Sequence, residues 1–293
     1  MNLQALFSAP ILEQTYLDPG YSGHASDVWR VRTAEEVVVV RMLRQGLPEV
    51  PFWYGCHVLF GLDQRAIFQL EPLNRLLARF CSLPVPQVLR KGTLEDRPYV
   101  IVDAMPGVSF ETFSELPEEA LEAMGEEFAR LHCGRFDWFG TPTGSTRYDL
   151  ADFQTRLQET LRLLVERFYQ QDEAIKKMLP AACEAVTQLP PLHYTVPVLM
   201  DMDASQFLTD GKRITAFVDT EGYAMGPREL DFIGLEYVFQ QREARAFARG
   251  YERVLSLPEI APVRFVYRYL YCLMEVQGSV ALDPWMRYPA LFA

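Results

Sequence analysis

Asp201 and Asp219 are the residues on which chemistry can be built. Between them lie Gln206–Thr209, the pair Asp210-Gly211 and Arg213–Val218. An Asp-Gly pair between two short apolar runs predicts a β-hairpin. A tight hairpin brings its ends together, so two carboxylates 18 positions apart are expected to be neighbours in space. With the side-chain amide of Gln206 they make an all-oxygen set of the kind that suits Mg²⁺. The plain alternative is that both aspartates only cap turns.

The elements that must position these groups fall into two parts. Residues 1–103 carry 10 basic and 11 acidic residues, and residues 104–293 carry 18 and 28, a contrast that suggests two electrostatic tasks. In the first part, Val28–Val31 and Val37–Met42 read as a hairpin about the polar turn Arg32–Glu36, preceded by a small-residue loop at 21–27. Gln64–Phe80 has helical spacing and is stopped by Pro84 and Pro86. Gln87–Leu89 and Tyr99–Val102 read as further strands, for a five-stranded antiparallel sheet plus one helix. Residues 1–20 read as an N-terminal extension, helical at Leu3–Phe7 and Ile11–Tyr16. The aromatic run Phe52-Trp53-Tyr54 reads as packing or a lobe edge sooner than as a ligand platform. The second part is mainly helical: Pro117–His132, Asp152–Tyr169, Glu173–Leu189, Glu229–Phe239, Arg242–Leu255 and Pro262–Val276 are expected helices, interrupted by the 206–218 hairpin.

Composition narrows the function. With 49% apolar and 23% charged residues among 293, the chain is globular. Its net charge of -11 argues against generic binding to nucleic acid or to anionic membranes. The uncharged run Ala185–Met200 is short and broken by Pro190, Pro191 and Pro197, so no transmembrane span is expected. No basic residue precedes Arg30 and Glu13 interrupts the first apolar stretch, so no secretory signal is read and a cytoplasmic location is expected. Five scattered cysteines form neither a disulfide framework nor a zinc site. His24, His57, His132 and His193 lack ligand spacing and read as surface or satisfied structural histidines, with His24 notable for its place in the small loop.

Leu199-Met200-Asp201-Met202-Asp203-Ala204-Ser205-Gln206, then Val218-Asp219-Thr220-Glu221, then Gly226-Pro227-Arg228-Glu229-Leu230-Asp231, resemble in order and spacing the catalytic core of the aminoglycoside phosphotransferase and choline kinase-like family. The resemblance implies a two-lobed, protein-kinase-like α+β fold, with a nucleotide-binding lobe at 1–103 and a helical lobe at 104–293 holding the catalytic loop and acceptor site. It implies ATP or GTP and Mg²⁺ as cofactors. Asp201 would orient or deprotonate the acceptor hydroxyl. Gln206 and Asp219 would hold the metal. Arg41, held by Glu71, would contact the α/β-phosphates. Ser22, Gly23 and Ser26 lie in what resembles the nucleotide-covering loop, where backbone N–H groups approach phosphate oxygens. Asp103 and Met105 lie in what resembles the inter-lobe linker that reads the base. Asp231 would brace the catalytic loop, and Glu221 reads as a loop brace. Asp203 reads equally as a substrate contact or a solvated acid.

Three positions depart from the family pattern. Leu199-Met200 replaces His-Gly, Gln206 replaces Asn, and Arg41 replaces Lys. Met200 would have to adopt whatever backbone a glycine takes there. The expected activity is transfer of a γ-phosphate to a hydroxyl of a small, cationic molecule such as an aminoglycoside, amino alcohol or amino sugar. The alternative is a catalytically impaired, kinase-like binding or regulatory protein. Oligomeric state is not legible.

Overall fold

The computed structural model describes residues 2–18 and 23–293; Ser22 lies outside the described residues. An antiparallel five-stranded sheet forms the first layer, from β1 (Ile11–Tyr16), β2 (Ser26–Thr33), β3 (Val37–Leu43), β4 (Val88–Leu94) and β5 (Arg97–Asp103), in the order β1-β2-β3-β5-β4. Strand alternation decides what each face does. Val38, Val40 and Met42 of β3 are buried with Val31, Ile101 and Leu3 on one face. Arg41 is on the opposite face, in register with Val100 of β5. That face packs its Val100 and Val102 against Ile67 and Leu70, which begin the 67–69 turn and α2 (Leu70–Leu77).

Two expectations for this part are corrected. Ile11–Tyr16 is not helical. It is an edge strand, mostly exposed, paired with β2 from Thr33 to Trp29. Its alternating Ile-Leu-Glu-Gln-Thr-Tyr carries no helical stripe. A further helix, α1 (Pro51–Phe60), lies before α2. Proline opens it, and Gly61 at φ +72° closes it. α1 buries Cys56, Leu59 and Phe60 in the same core as the C-terminal helices.

The rest is mainly helical: α3 (Glu118–His132), α4 (Phe153–Phe168), α5 (Glu173–Thr187), α6 (Glu229–Val238), α7 (Gln241–Tyr251), α8 (Arg264–Met274) and the short α9 (Leu282–Met286). Short strands β6 (Trp138–Gly140), β7 (Arg147–Asp149), β8 (Val196–Leu199) and β11 (Tyr223–Gly226) form a second sheet in the order β7-β6-β11-β8, which the sequence reading did not anticipate. The expected hairpin is present as β9 (Phe207–Thr209) and β10 (Ile214–Phe217). Together these give the α+β, kinase-like architecture that was expected. Among the described residues, no helix is long and apolar enough to cross a membrane.

Candidate active site

The site is built where β8 and β11 run side by side. Leu199 pairs with Tyr223, and the Met200 N–H donates to the Gly222 carbonyl at 3.0 Å. Asp201 follows β8, and Asp219 precedes the 220–222 turn that leads into β11. The β9–β10 hairpin closes the loop between them: the Val218 N–H donates to the Gln206 carbonyl at 2.8 Å. The two aspartates, distant in sequence, therefore share one site. Coulomb repulsion from Asp219 and Asp203 is felt at Asp201, whose carboxyl is pushed up to about 7, chiefly by burial and then by those two charges.

Gln206 is buried and orders this cluster. Its side-chain N–H donates to Asp201 Oδ2 at 3.2 Å. Its Oε1 is buried without a hydrogen-bond partner. Asp219 sits in the left-handed region, at φ +50° and ψ +56°, and its side chain is 46% exposed. The orphaned amide oxygen of Gln206 and the accessible carboxylate of Asp219 are donors of the kind a divalent cation takes, and Mg²⁺ needs few protein ligands because water and phosphate oxygens fill its octahedron. The glutamine thus still offers the oxygen donor that the resemblance implies at this position. Among the described residues no group of three or more His, Cys, Asp or Glu is arranged for a metal.

Arg41 reaches this cluster from the sheet. Its Nη2 donates to Asp219 Oδ1 at 2.6 Å and to Glu221 Oε2 at 2.5 Å. Burial works against its charge, but the two carboxylates outweigh burial and raise the guanidinium's pKa. Glu221 is pushed up to about 7, first by burial and also by Asp219, with Arg41 opposing.

The expected Arg41–Glu71 pair is not formed. Glu71 binds Arg75 at 2.5 Å and Lys91 at 2.6 Å. The cause is the phase of α2: Leu70, Leu73, Asn74 and Leu77 are its buried residues. Glu71 lies about 100° round the helix from Leu70, off that face. Asn74 faces inward instead, accepting from Thr220 Oγ1 at 2.5 Å and donating to the Pro86 carbonyl at 2.7 Å. Glu221, read only as a loop brace, is the partner of Arg41. Its place two residues after Asp219 was the available signal.

The loop that carries Asp201 is held from below. Asp231 accepts from the Leu199 N–H at 2.7 Å and from His132 Nε2 at 2.9 Å. His132 Nδ1 meets the Tyr251 hydroxyl at 2.9 Å. Burial raises the Asp231 pKa, against the pull of His132. His132 is a satisfied structural histidine, as expected, but its task of fixing the Asp231 brace was not foreseen. Met200 is fully buried, and its φ is not positive, so no glycine-like backbone is demanded there. Its Sδ accepts from the Tyr271 hydroxyl at 3.8 Å.

The remaining expected residues line the sheet side. Gly23 is half-buried in a turn, and Ser26 begins β2 with its hydroxyl buried and unpartnered. Asp103 ends β5, and its Oδ1 accepts from the Gln87 N–H at 2.5 Å, so its side chain serves the sheet end. Met105 is half-buried in the linker. Gly107 turns that linker at φ +116°, where a Cβ would overlap Thr215 Oγ1. Thr215 fixes the linker by donating to the Pro106 carbonyl at 2.6 Å. Asp203 caps the 204–206 turn, accepting from the Ser205 N–H at 2.8 Å.

A kinase-like sheet and linker, with two aspartates and an amide on strand-flanked loops, define a phosphotransferase class. The chain belongs to the phosphotransferase enzyme family, whose profile matches residues 20–266. Among curated proteins, none matches it by sequence. Solved structures share its fold. A putative fructosamine-3-kinase from Haemophilus somnus superposes with a TM-score of 0.64 at 14% identity, covering 97% of this chain and 90% of that one. A macrolide 2'-phosphotransferase from Brachybacterium faecium gives 0.61 at 15%, covering 94% and 89%. A thermostable variant of the aminoglycoside phosphotransferase APH(4)-Ia, in complex with ADP and hygromycin B, gives 0.64 at 19%, covering 94% and 89%.

Proposed function

We propose that this protein transfers the γ-phosphoryl group of ATP or GTP to a hydroxyl of a small, cationic molecule. The observation that carries the reading is the convergence of Asp201, Gln206, Asp219 and Arg41 from three separate segments on one site. In this proposal residues 1–103 supply most of the nucleotide site and residues 104–293 the catalytic loop and acceptor site. Gly23 and Ser26, with Ser22, cover the phosphates, and the Asp103–Met105 backbone reads the base. Asp201 accepts a hydrogen bond from the acceptor hydroxyl. As the acceptor oxygen bonds to the γ-phosphorus and the bond to the bridging oxygen breaks, the hydroxyl proton passes to the Asp201 carboxylate. Gln206 Oε1 and Asp219 would hold Mg²⁺, which when bound would neutralise phosphate charge. Arg41 is then released from Asp219 and stays anchored by Glu221, free to meet the α/β-phosphates. Asp201, Asp203 and Asp219 together create a negative field that concentrates a cationic acceptor.

Thermal unfolding with ATP or GTP, each with and without Mg²⁺, tests this. A ligand of the folded state raises Tm by mass action. The expected result is a Mg²⁺-dependent rise that is lost in Asp219→Ala, followed by phosphorylation of an amine-bearing acceptor that is lost in Asp201→Ala. No rise with either nucleotide would overturn the proposal and leave a kinase-like binding protein.

A further inference from the structure

A cavity lies behind the Arg41–Glu221 pair, between α1, the 61–67 segment, α2 and the β6–β7 turn. Its volume is about 220 Å³. That exceeds the roughly 150 Å³ of an engineered apolar cavity that takes up benzene. Trp53, Leu70 and Leu73 give it an apolar wall. Its polar lining is unbalanced. Gln64 lines it with a buried Oε1 that has no hydrogen-bond partner, and Tyr223 lines it with a hydroxyl that has none. Glu221 adds a carboxylate. The cluster of Asp219, Glu221 and Arg41 carries one formal negative charge in excess when both carboxylates are ionised. A buried acceptor without a donor, as at Gln64 Oε1, costs free energy that a donor-bearing guest would recover.

We propose that this cavity binds a small planar organic cation, an aryl amidine or aryl amine, with its ring against Trp53 and the leucines and its N–H groups on Gln64 Oε1 and Glu221. No motif of the sequence reading pointed to this site. It does not include Asp201, and it meets the proposed phosphotransfer site only through Glu221, the partner of Arg41.

Benzamidine is the probe, with toluene as its apolar counterpart, titrated by calorimetry into the full chain without nucleotide. Saturable benzamidine binding is expected, tighter than any toluene binding. Gln64→Leu should weaken it fivefold or more, and Ala66→Phe, which fills the cavity from its wall, should abolish it. Asp201→Asn should leave it unchanged, separating this cavity from the acidic catalytic cluster. The proposal is overturned if wild type shows no saturable binding, or if toluene binds more tightly. It is also overturned if benzamidine binds Ala66→Phe and Gln64→Leu as it binds wild type, or if Asp201→Asn alone removes binding. Heteronuclear NMR shifts on the same variants confirm that each is folded and locate the site by the Trp53 indole signal.

Discussion

At the scale of single residues, Asp201 is held where its charge is costly. It is half-buried, it faces Asp219 and Asp203, and its carboxyl is pushed from 3.8 to about 7. A carboxyl with a higher pKa folded than unfolded binds protons more readily in the native state between those values. Stability is then lost as pH rises from about 4 to about 7. Removing the charge should recover it. Asp201→Asn is expected to raise Tm at pH 8, measured without nucleotide or metal, at roughly 2–4 °C per kcal/mol recovered. The gain should vanish below about pH 3, where wild-type Asp201 is neutral in both states. An equal or lower Tm at pH 8 would show that Asp201 is not strained by burial. In the proposed reaction the same substitution removes the group that receives the acceptor proton, so the stabilised variant should be inactive, as strained functional sites predict.

At the scale of elements, the question is which one holds the β3 cation. In this chain the partner is the turn after Asp219 and not α2: Arg41 bonds Glu221 at 2.5 Å, while Glu71 serves Arg75 and Lys91 on the protein's outer side. Glu221→Gln should therefore lower nucleotide-dependent kcat/KM by roughly 10–100-fold, the range for losing one buried charged hydrogen bond. Glu71→Gln should change it less than about twofold. The reverse ranking, in steady-state assays across nucleotide concentration, would return the task to α2. This pairing was only partly legible. The order of motifs gave Asp201, Gln206, Asp219 and Arg41 their neighbourhood, because a hairpin joins its ends whatever the tertiary packing. The partner of Arg41 depends on the rotation of α2, and resemblance alone put Glu71 there. The buried phase of Leu70, Leu73, Asn74 and Leu77 already argued against it. α1 escaped notice for a different reason: buried or half-buried positions run nearly all round it, so no amphipathic stripe marks it, and only Pro51 and Gly61 do. β1 was missed because an exposed edge strand buries too little to show a pattern.

At the scale of the whole molecule, the catalytic loop depends on how α6 and α8 are tied together. α6 begins with the Asp231 brace and ends near Glu236, which is fully buried. Glu236 bonds Arg268 at 2.7 Å, Arg264 at 3.2 Å and the Leu291 N–H at 3.0 Å. Arg268 in turn donates to the carbonyls of Tyr288 and Pro289, and Arg264 to that of Phe292. One carboxylate thus serves as the shared counter-ion of two arginines and fastens the 288–292 segment over α8, whose Tyr271 hydroxyl reaches the Leu230 carbonyl at 3.2 Å. Neutralising that carboxylate leaves Arg268 charged and buried without a counter-ion, whereas water compensates a broken surface pair. Glu236→Gln is therefore expected to cost roughly 3–5 kcal/mol in urea unfolding. Asp283→Ala, which breaks the exposed Asp283–Arg287 pair, should cost less than about 1 kcal/mol. If the two variants unfold at the same urea midpoint, the buried cluster is not what fastens the C-terminal segment. If Glu236→Gln falls as expected, nucleotide binding measured on its remaining folded fraction should still be present, because the cluster supports the catalytic loop through α6 and touches none of the groups that meet phosphate.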